Sequence, residues 1–262
     1  MEFTNPEEEN NIIPEPVLYC QGCSTSNATA NRFCVGCGTA LQHQYSYKYQ
    51  QENEGIIKQL IVFFVCLVLI IALYGYSELF QINFTTSLIT DGALAILVAV
   101  YAVMNRQQLV RLYNLLDVKI SPLIIISGLM VITAIGVHFA SDYINSMLYG
   151  ETGSSLGVYQ ETAYPLLFSI LFIGVYPAVF EELAFRGFVY NYIERFTSAR
   201  SAIAVTGLLF ALIHFSFLSL GWYIPLGLFF GWLRYKYQNL WYSMTAHFIY
   251  NSTIVGLEFM GY

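Results

Sequence analysis

The chain has 262 residues, 56% hydrophobic and only 11% charged. Soluble domains carry about 25% charged residues, so an ordinary water-soluble globule is excluded and apolar runs of about 20 residues are required. The net charge is −6, and 11 Lys plus Arg with no basic face give nothing that points to a nucleic-acid partner.

Part of the acidity is local. Residues 1–16 hold five Glu, three Pro and no Lys or Arg, the composition of a disordered acidic tail. No basic segment followed by an apolar core opens the chain, so no cleavable signal peptide is expected. Residues 17–41 carry two C-x-x-C pairs, Cys20/Cys23 and Cys34/Cys37, ten residues apart. That spacing suits tetrahedral Zn²⁺ held by four thiolates. Gly22, Gly36 and Gly38 allow the tight turns this needs, and the metal would supply the folding energy of a module with almost no core. Four thiolates leave no open coordination position, so the expected role is structural. The run Phe33-Cys34-Val35-Gly36-Cys37-Gly38 resembles the short zinc ribbons at the N-termini of many bacterial membrane proteins. Residues 42–55, polar and rich in Tyr and Gln, read as a linker. Cys66 lies in an apolar run and reads as a small core residue.

The rest, 56–262, reads as an all-α polytopic membrane domain. Seven apolar segments are expected, near 56–76, 86–104, 121–140, 164–185, 202–219, 222–235 and 239–258. The sixth is short enough to pair with the fifth as a hairpin, and 142–160 is too polar to count as an eighth. All 11 Lys and Arg fall before or at the start of span 1, between spans 2 and 3 or 4 and 5, or at the junction of spans 6 and 7. The positive-inside rule makes that side cytoplasmic. It places the N-terminus and the cysteines inside, in a reducing compartment that keeps thiols available, and the C-terminus outside. Gly227-x-x-x-Gly231 predicts close helix approach. Pro177 predicts a kink one turn before Glu181.

Ionisable groups within a span cost roughly 2.5–3.5 kcal/mol each on insertion scales, yet they gather in three places. Glu181 and Glu182 end span 4, with Arg186 four residues beyond Glu182 and able to pair with it. Glu181 is turned about 100° away, free to face the bundle. Phe210 and His214 lie in span 5, with His214 about 20 Å beyond Arg200 along a helix, inside the hydrocarbon. His247 and Asn251 share one face of span 7, with Ser243 on roughly the same side. Each taken alone reads equally as a helix-end charge cluster or an interhelical hydrogen bond. Spans 1 to 3 hold no comparable set, since Asp91 and His138 fall where interfacial water reaches them.

Together these residues could hydrolyse amides in two ways. A carboxylate and an imidazole can activate water while a second His and an amide donate to the oxyanion. One Glu and two His can instead hold a catalytic Zn²⁺. The residues fit either chemistry.

In order and spacing, these elements resemble the CPBP family of intramembrane proteases, which includes the type II CAAX prenyl endopeptidases and bacteriocin self-immunity proteins. Its pattern is E-E-x-x-x-R, F-x-x-x-H and H-x-x-x-N or D, here Glu181, Glu182 and Arg186; Phe210 and His214; His247 and Asn251. The resemblance covers about 120–260. It implies an endopeptidase of metallo or glutamate type, with Glu181 as general base working with His214. It implies that His247 and Asn251 stabilise the oxyanion and that Glu182 and Arg186 support them. The expected partners are a peptide or membrane-protein substrate, the bilayer, and a cytoplasmic partner for the zinc ribbon. The competing function is a non-catalytic scaffold or immunity factor that binds peptides in the same cavity. A transporter fits less well, because no inverted repeat or pair of broken helices is visible.

Overall fold

A computed structural model describes residues 17–28, 31, 33–39, 41–78, 83–150, 154 and 156–262. The acidic tail expected over 1–16 lies outside the described residues. The chain divides into two compact units, Met1–Gln59 and Leu60–Tyr262.

In the first unit, β1 (Val17–Tyr19) and β2 (Ser26–Ala28) form an antiparallel ladder, with Leu18 opposite Asn27. Two matching turns follow the strands, Cys20-Gln-Gly-Cys-Ser-Thr and Cys34-Val-Gly-Cys-Gly-Thr. Each closes with an amide four residues on, Ser24 to the Cys20 carbonyl and Gly38 to the Cys34 carbonyl. Each also ends in the left-handed region, Ser24 at φ 57° and Gly38 at φ 72°. Of the three glycines expected to serve these turns, Gly38 is the one with that backbone requirement.

Beyond the ribbon the predicted segments appear as helices, and 78% of the described residues are helical. These are α1 (Gln42–Glu78), α2 (Phe84–Met104), α3 (Ile120–Tyr149), α4 (Pro165–Glu194), α5 (Ala199–Leu212), α6 (Leu220–Tyr237) and α7 (Leu240–Phe259). The expected linker 42–55 is helical and continuous with the first span, because Gln, Glu and Lys are strong helix formers. Residues 142–149 extend α3 rather than forming a separate segment.

Among the described residues, four helices are long and apolar enough to cross a membrane: Asn53–Tyr76 within α1, α2, α3 and α4. The remaining expected segments are the shorter helices, and the fifth is shorter than its apolar run. α5 has 14 residues, about 21 Å at 1.5 Å per residue, short of a bilayer core of about 30 Å. It stops at Leu212 rather than 219 because the chain turns back through Phe215, whose φ is +49°. α6 and α7 are long enough but carry the polar side chains that face the protein interior.

α5 and α6 form the expected hairpin. A Cβ on Gly227 would lie 2.6 Å from the Gly207 carbonyl oxygen, and one on Gly207 would lie 2.9 Å from the Leu228 nitrogen. Only paired glycines permit this backbone approach. α4 is interrupted twice by π-helical turns, Ile170–Val175 and Leu183–Val189, which bracket the two adjacent glutamates. Pro177 lies just after the first, and having no N–H it cannot bond the Ile173 carbonyl four residues back.

Gly227→Ala is expected to cost about 1–3 kcal/mol by overpacking, read as a fall in the thermal unfolding midpoint in detergent. Gly256→Ala, where nothing lies within 4 Å, is expected to leave the midpoint level or raise it slightly.

Candidate active site

Glu182 and Arg186 stand one turn apart on α4 and are fully buried. Arg186 Nη1 donates to Glu182 Oε1 at 2.9 Å, the pairing their spacing predicts. The same oxygen lies 3.1 Å from His247 Nδ1 on α7. Arg186 Nη2 donates to the Gly227 carbonyl on α6 at 2.9 Å. Its guanidinium packs over Phe210 of α5, 4.4 Å from the ring centroid, and 5.3 Å from that of Phe230 on α6. One ion pair thus fastens four helices. Below it Arg234 Nε donates to the Arg186 carbonyl at 3.1 Å and Nη2 to Asn191 at 2.9 Å. No sequence signal set Arg234 apart from an ordinary helix-end cation.

Glu181 points elsewhere, as the 100° rotation requires. Its Oε2 is buried and has no hydrogen-bond partner among the described residues. It faces a cavity of about 520 Å³ lined also by His214, His247, Asn251, Tyr223 and Tyr250. Glu181 and His214 further line a second cavity of about 260 Å³ on the α1–α2 side of α4.

His214 follows the end of α5 rather than lying within a long span. The last carbonyls of a helix lack intrahelical donors, and His214 Nδ1 lies 2.8 Å from the Phe210 carbonyl oxygen. A carbonyl only accepts, so Nδ1 carries the proton and Nε2 presents a lone pair. This bond explains the four-residue spacing of Phe210 and His214. Tyr223 of α6 stacks on the imidazole at 4.0 Å, a partner that its sequence position does not reveal.

His247 is buried and stacked on Phe230, with centroids 5.1 Å apart. Its Nδ1 is spent on Glu182, so Nε2 is the nitrogen left for chemistry. Asn251 Nδ2 donates to the Ile173 carbonyl at 2.8 Å, the group that Pro177 leaves without its α-helical donor. One amide proton of Asn251 remains for another acceptor. Ser243 is buried and donates to the Leu240 carbonyl within its own helix.

Of the two residues expected where interfacial water reaches them, His138 is buried and Asp91 is half-buried against a cavity. His138 is buried, with Nε2 3.1 Å from the Tyr262 carbonyl and 3.5 Å from Asp142 Oδ2. Asp91 faces the smaller cavity together with Glu181. A single helical segment gave no sign of either, because both environments are built by helices distant in sequence.

Among the described residues, the four cysteines form the set of metal-ligating atoms that lie within 4.8 Å of one another. All four are free thiols. Cys20 Sγ is 3.5 Å from Cys37 Sγ, and Cys23 Sγ is 3.5 Å from Cys34 Sγ. Burial pushes the Cys20 thiol up to about 11. Burial also acts upward on Cys34, but the amides of Cys37 and Gly36, with side-chain bonds from Cys23 and Asn27, outweigh it and bring that thiol down to about 6. A donor set of four sulfurs this close fits a tetrahedral soft-metal site.

Residues 163–253 match the family model described as type II CAAX prenyl endopeptidase Rce1-like. That segment has the fold of a CAAX-type intramembrane protease, and it contains all seven motif residues from Glu181 to Asn251. The chain is a multi-pass membrane protein. No curated protein and no solved structure matches it.

Removing Glu182 leaves Arg186 charged and buried without its counter-ion. Glu182→Ala is therefore expected to lower unfolding free energy by about 3–5 kcal/mol, while Glu182→Leu with Arg186→Met recovers most of it. Denaturant unfolding in micelles of the single and double variants checks this.

Proposed function

We propose that the chain is an intramembrane endopeptidase that hydrolyses a peptide bond with water activated by Glu181 and His214. The observation that carries this is the convergence of Glu181, His214, His247 and Asn251 on one cavity, with one Glu181 oxygen free of other partners. The scissile carbonyl lies between the two pairs. Water, held by His214 Nε2, attacks the carbonyl carbon as Glu181 takes its proton. The oxyanion accepts from the remaining Asn251 amide proton and from Nε2–H of His247 in its imidazolium form, whose Nδ1–H bonds Glu182. Collapse breaks the C–N bond, and Glu181 returns the proton to the leaving amine. Glu182 and Arg186 hold His247 in position without touching substrate.

The metal-free route is favoured by geometry, since Glu181, His214 and His247 are not among the groups whose ligand atoms gather within 4.8 Å. A resident Zn²⁺ fits the four cysteines instead and would fix the two turns of the ribbon. By the distribution of Lys and Arg, the ribbon and N-terminus lie in the cytoplasm and the C-terminus outside, and the ribbon is placed to engage a cytoplasmic partner.

Glu181→Gln is expected to reduce peptide cleavage by at least about 100-fold with the unfolding midpoint retained. Undiminished cleavage by this variant contradicts the mechanism. The purified protein is expected to hold one zinc, lost when Cys20, Cys23, Cys34 and Cys37 are all changed to Ser. Because Cys20 must give up its proton to bind metal, apparent zinc affinity should rise between about pH 6 and 8, measured by competition with a chromophoric chelator.

A further inference from the structure

The smaller cavity has a chemistry that the hydrolytic step does not use. Its volume is about 260 Å³, below the ~300–1,000 Å³ that whole small-molecule ligands occupy, so it suits one long side chain. Tyr74, Tyr159 and Tyr176 supply aromatic walls, Asp91 a carboxylate, and Glu181 and His214 the boundary with the reactive cavity. The Tyr176 hydroxyl donates to the Asp91 main-chain carbonyl at 2.5 Å. That bond sets Asp91 level with Tyr176, five residues before Glu181, or about 7.5 Å of helix rise.

An ionisable side chain within a span needs a partner. The Asp91 carboxylate has no ion pair or hydrogen bond to its oxygens among the described residues, and no Lys or Arg lines the cavity. None is placed to reach it from the nearest loops either, since 77–85 and 141–163 contain no basic residue. Two carboxylates, Asp91 and Glu181, therefore face one aromatic space that lacks a cation of its own.

We propose that this cavity is the subsite for a lysine or arginine side chain beside the scissile bond, with Asp91 as its counter-ion. The tyrosine rings flank the aliphatic stem and attract the cation, and the carboxylate fixes its head. The proposal rests on the endopeptidase reading and names its substrate class: peptides or membrane-protein segments with a basic residue adjacent to the cleaved bond. It also gives a positively charged substrate segment a reason to enter a site bounded by α2, a helix outside the family match.

The test uses the full-length protein in lipid nanodiscs, a proteome-derived peptide library, and mass spectrometry of the cleaved bonds. One position next to the bond should be enriched in Lys and Arg. For a matched pair of peptides with Lys or norleucine there, Asp91→Asn should lower the Lys-to-norleucine ratio of kcat/KM by about 10- to 100-fold, the range for a hydrogen bond to a charged group. Asp91→Glu should retain the preference. Cleavage without basic enrichment, or an unchanged ratio in Asp91→Asn, overturns the subsite and leaves the endopeptidase standing. A wild-type protein that cleaves no peptide overturns both. The enrichment is read on the wild type alone, so a poorly folding variant does not remove the test.

Discussion

The Glu182 carboxylate sits at zero exposure, and its Oε1 meets Arg186 at 2.9 Å and His247 at 3.1 Å. A buried charge survives only when paired and hydrogen-bonded, so these distances constrain everything around them. Arg186 must lie where it reaches both Glu182 and the Gly227 carbonyl, which brings α6 against α4. Gly227 must be glycine to let α5 approach, and α5 then delivers Phe210 beneath the guanidinium. His247 must present Nδ1 inward, which turns Nε2 toward the cavity. The pair need not add net stability over an apolar replacement; its consequence is a fixed geometry for the neighbouring groups.

The broken helices satisfy their backbone with side chains from neighbouring turns and helices. Pro177 has no N–H for the Ile173 carbonyl, and Asn251 supplies a donor from α7. α5 ends at Leu212, and the His214 ring supplies the donor that the Phe210 carbonyl loses. In lipid an unsatisfied backbone group costs several kcal/mol, so both side chains have a structural duty in addition to the chemical one proposed for them. That double duty sets their protonation and orientation. The π-helical turns on either side of Glu181 and Glu182 are of the kind found at functional sites.

Local spacing made much of this legible. The i, i+4 pairing of Glu182 with Arg186 and the divergence of Glu181 follow from helix geometry alone, and the glycines of span 6 announced their close contact. The two C-x-x-C pairs foretold the sulfur cluster. Hydropathy placed the helices but misjudged α5, because the apolar run Phe215–Leu220 continues past the point where the chain turns. It also made 42–55 a linker, where helix propensity extends α1. Asp91 and Tyr223 stayed hidden because their meaning comes from partners about 90 and 9 residues away across helix boundaries, which no single-segment pattern encodes.

In the proposed mechanism Glu182 acts through His247 while Glu181 acts on water. A double-mutant cycle on kcat/KM for peptide cleavage, with Glu182→Gln, His247→Ala and the double variant, tests it most directly. Residues that work as one unit lose rate non-additively, so the double variant should fall little further than His247→Ala alone. Strictly multiplicative losses would show that the two residues act independently and that Glu182 does not work by holding His247.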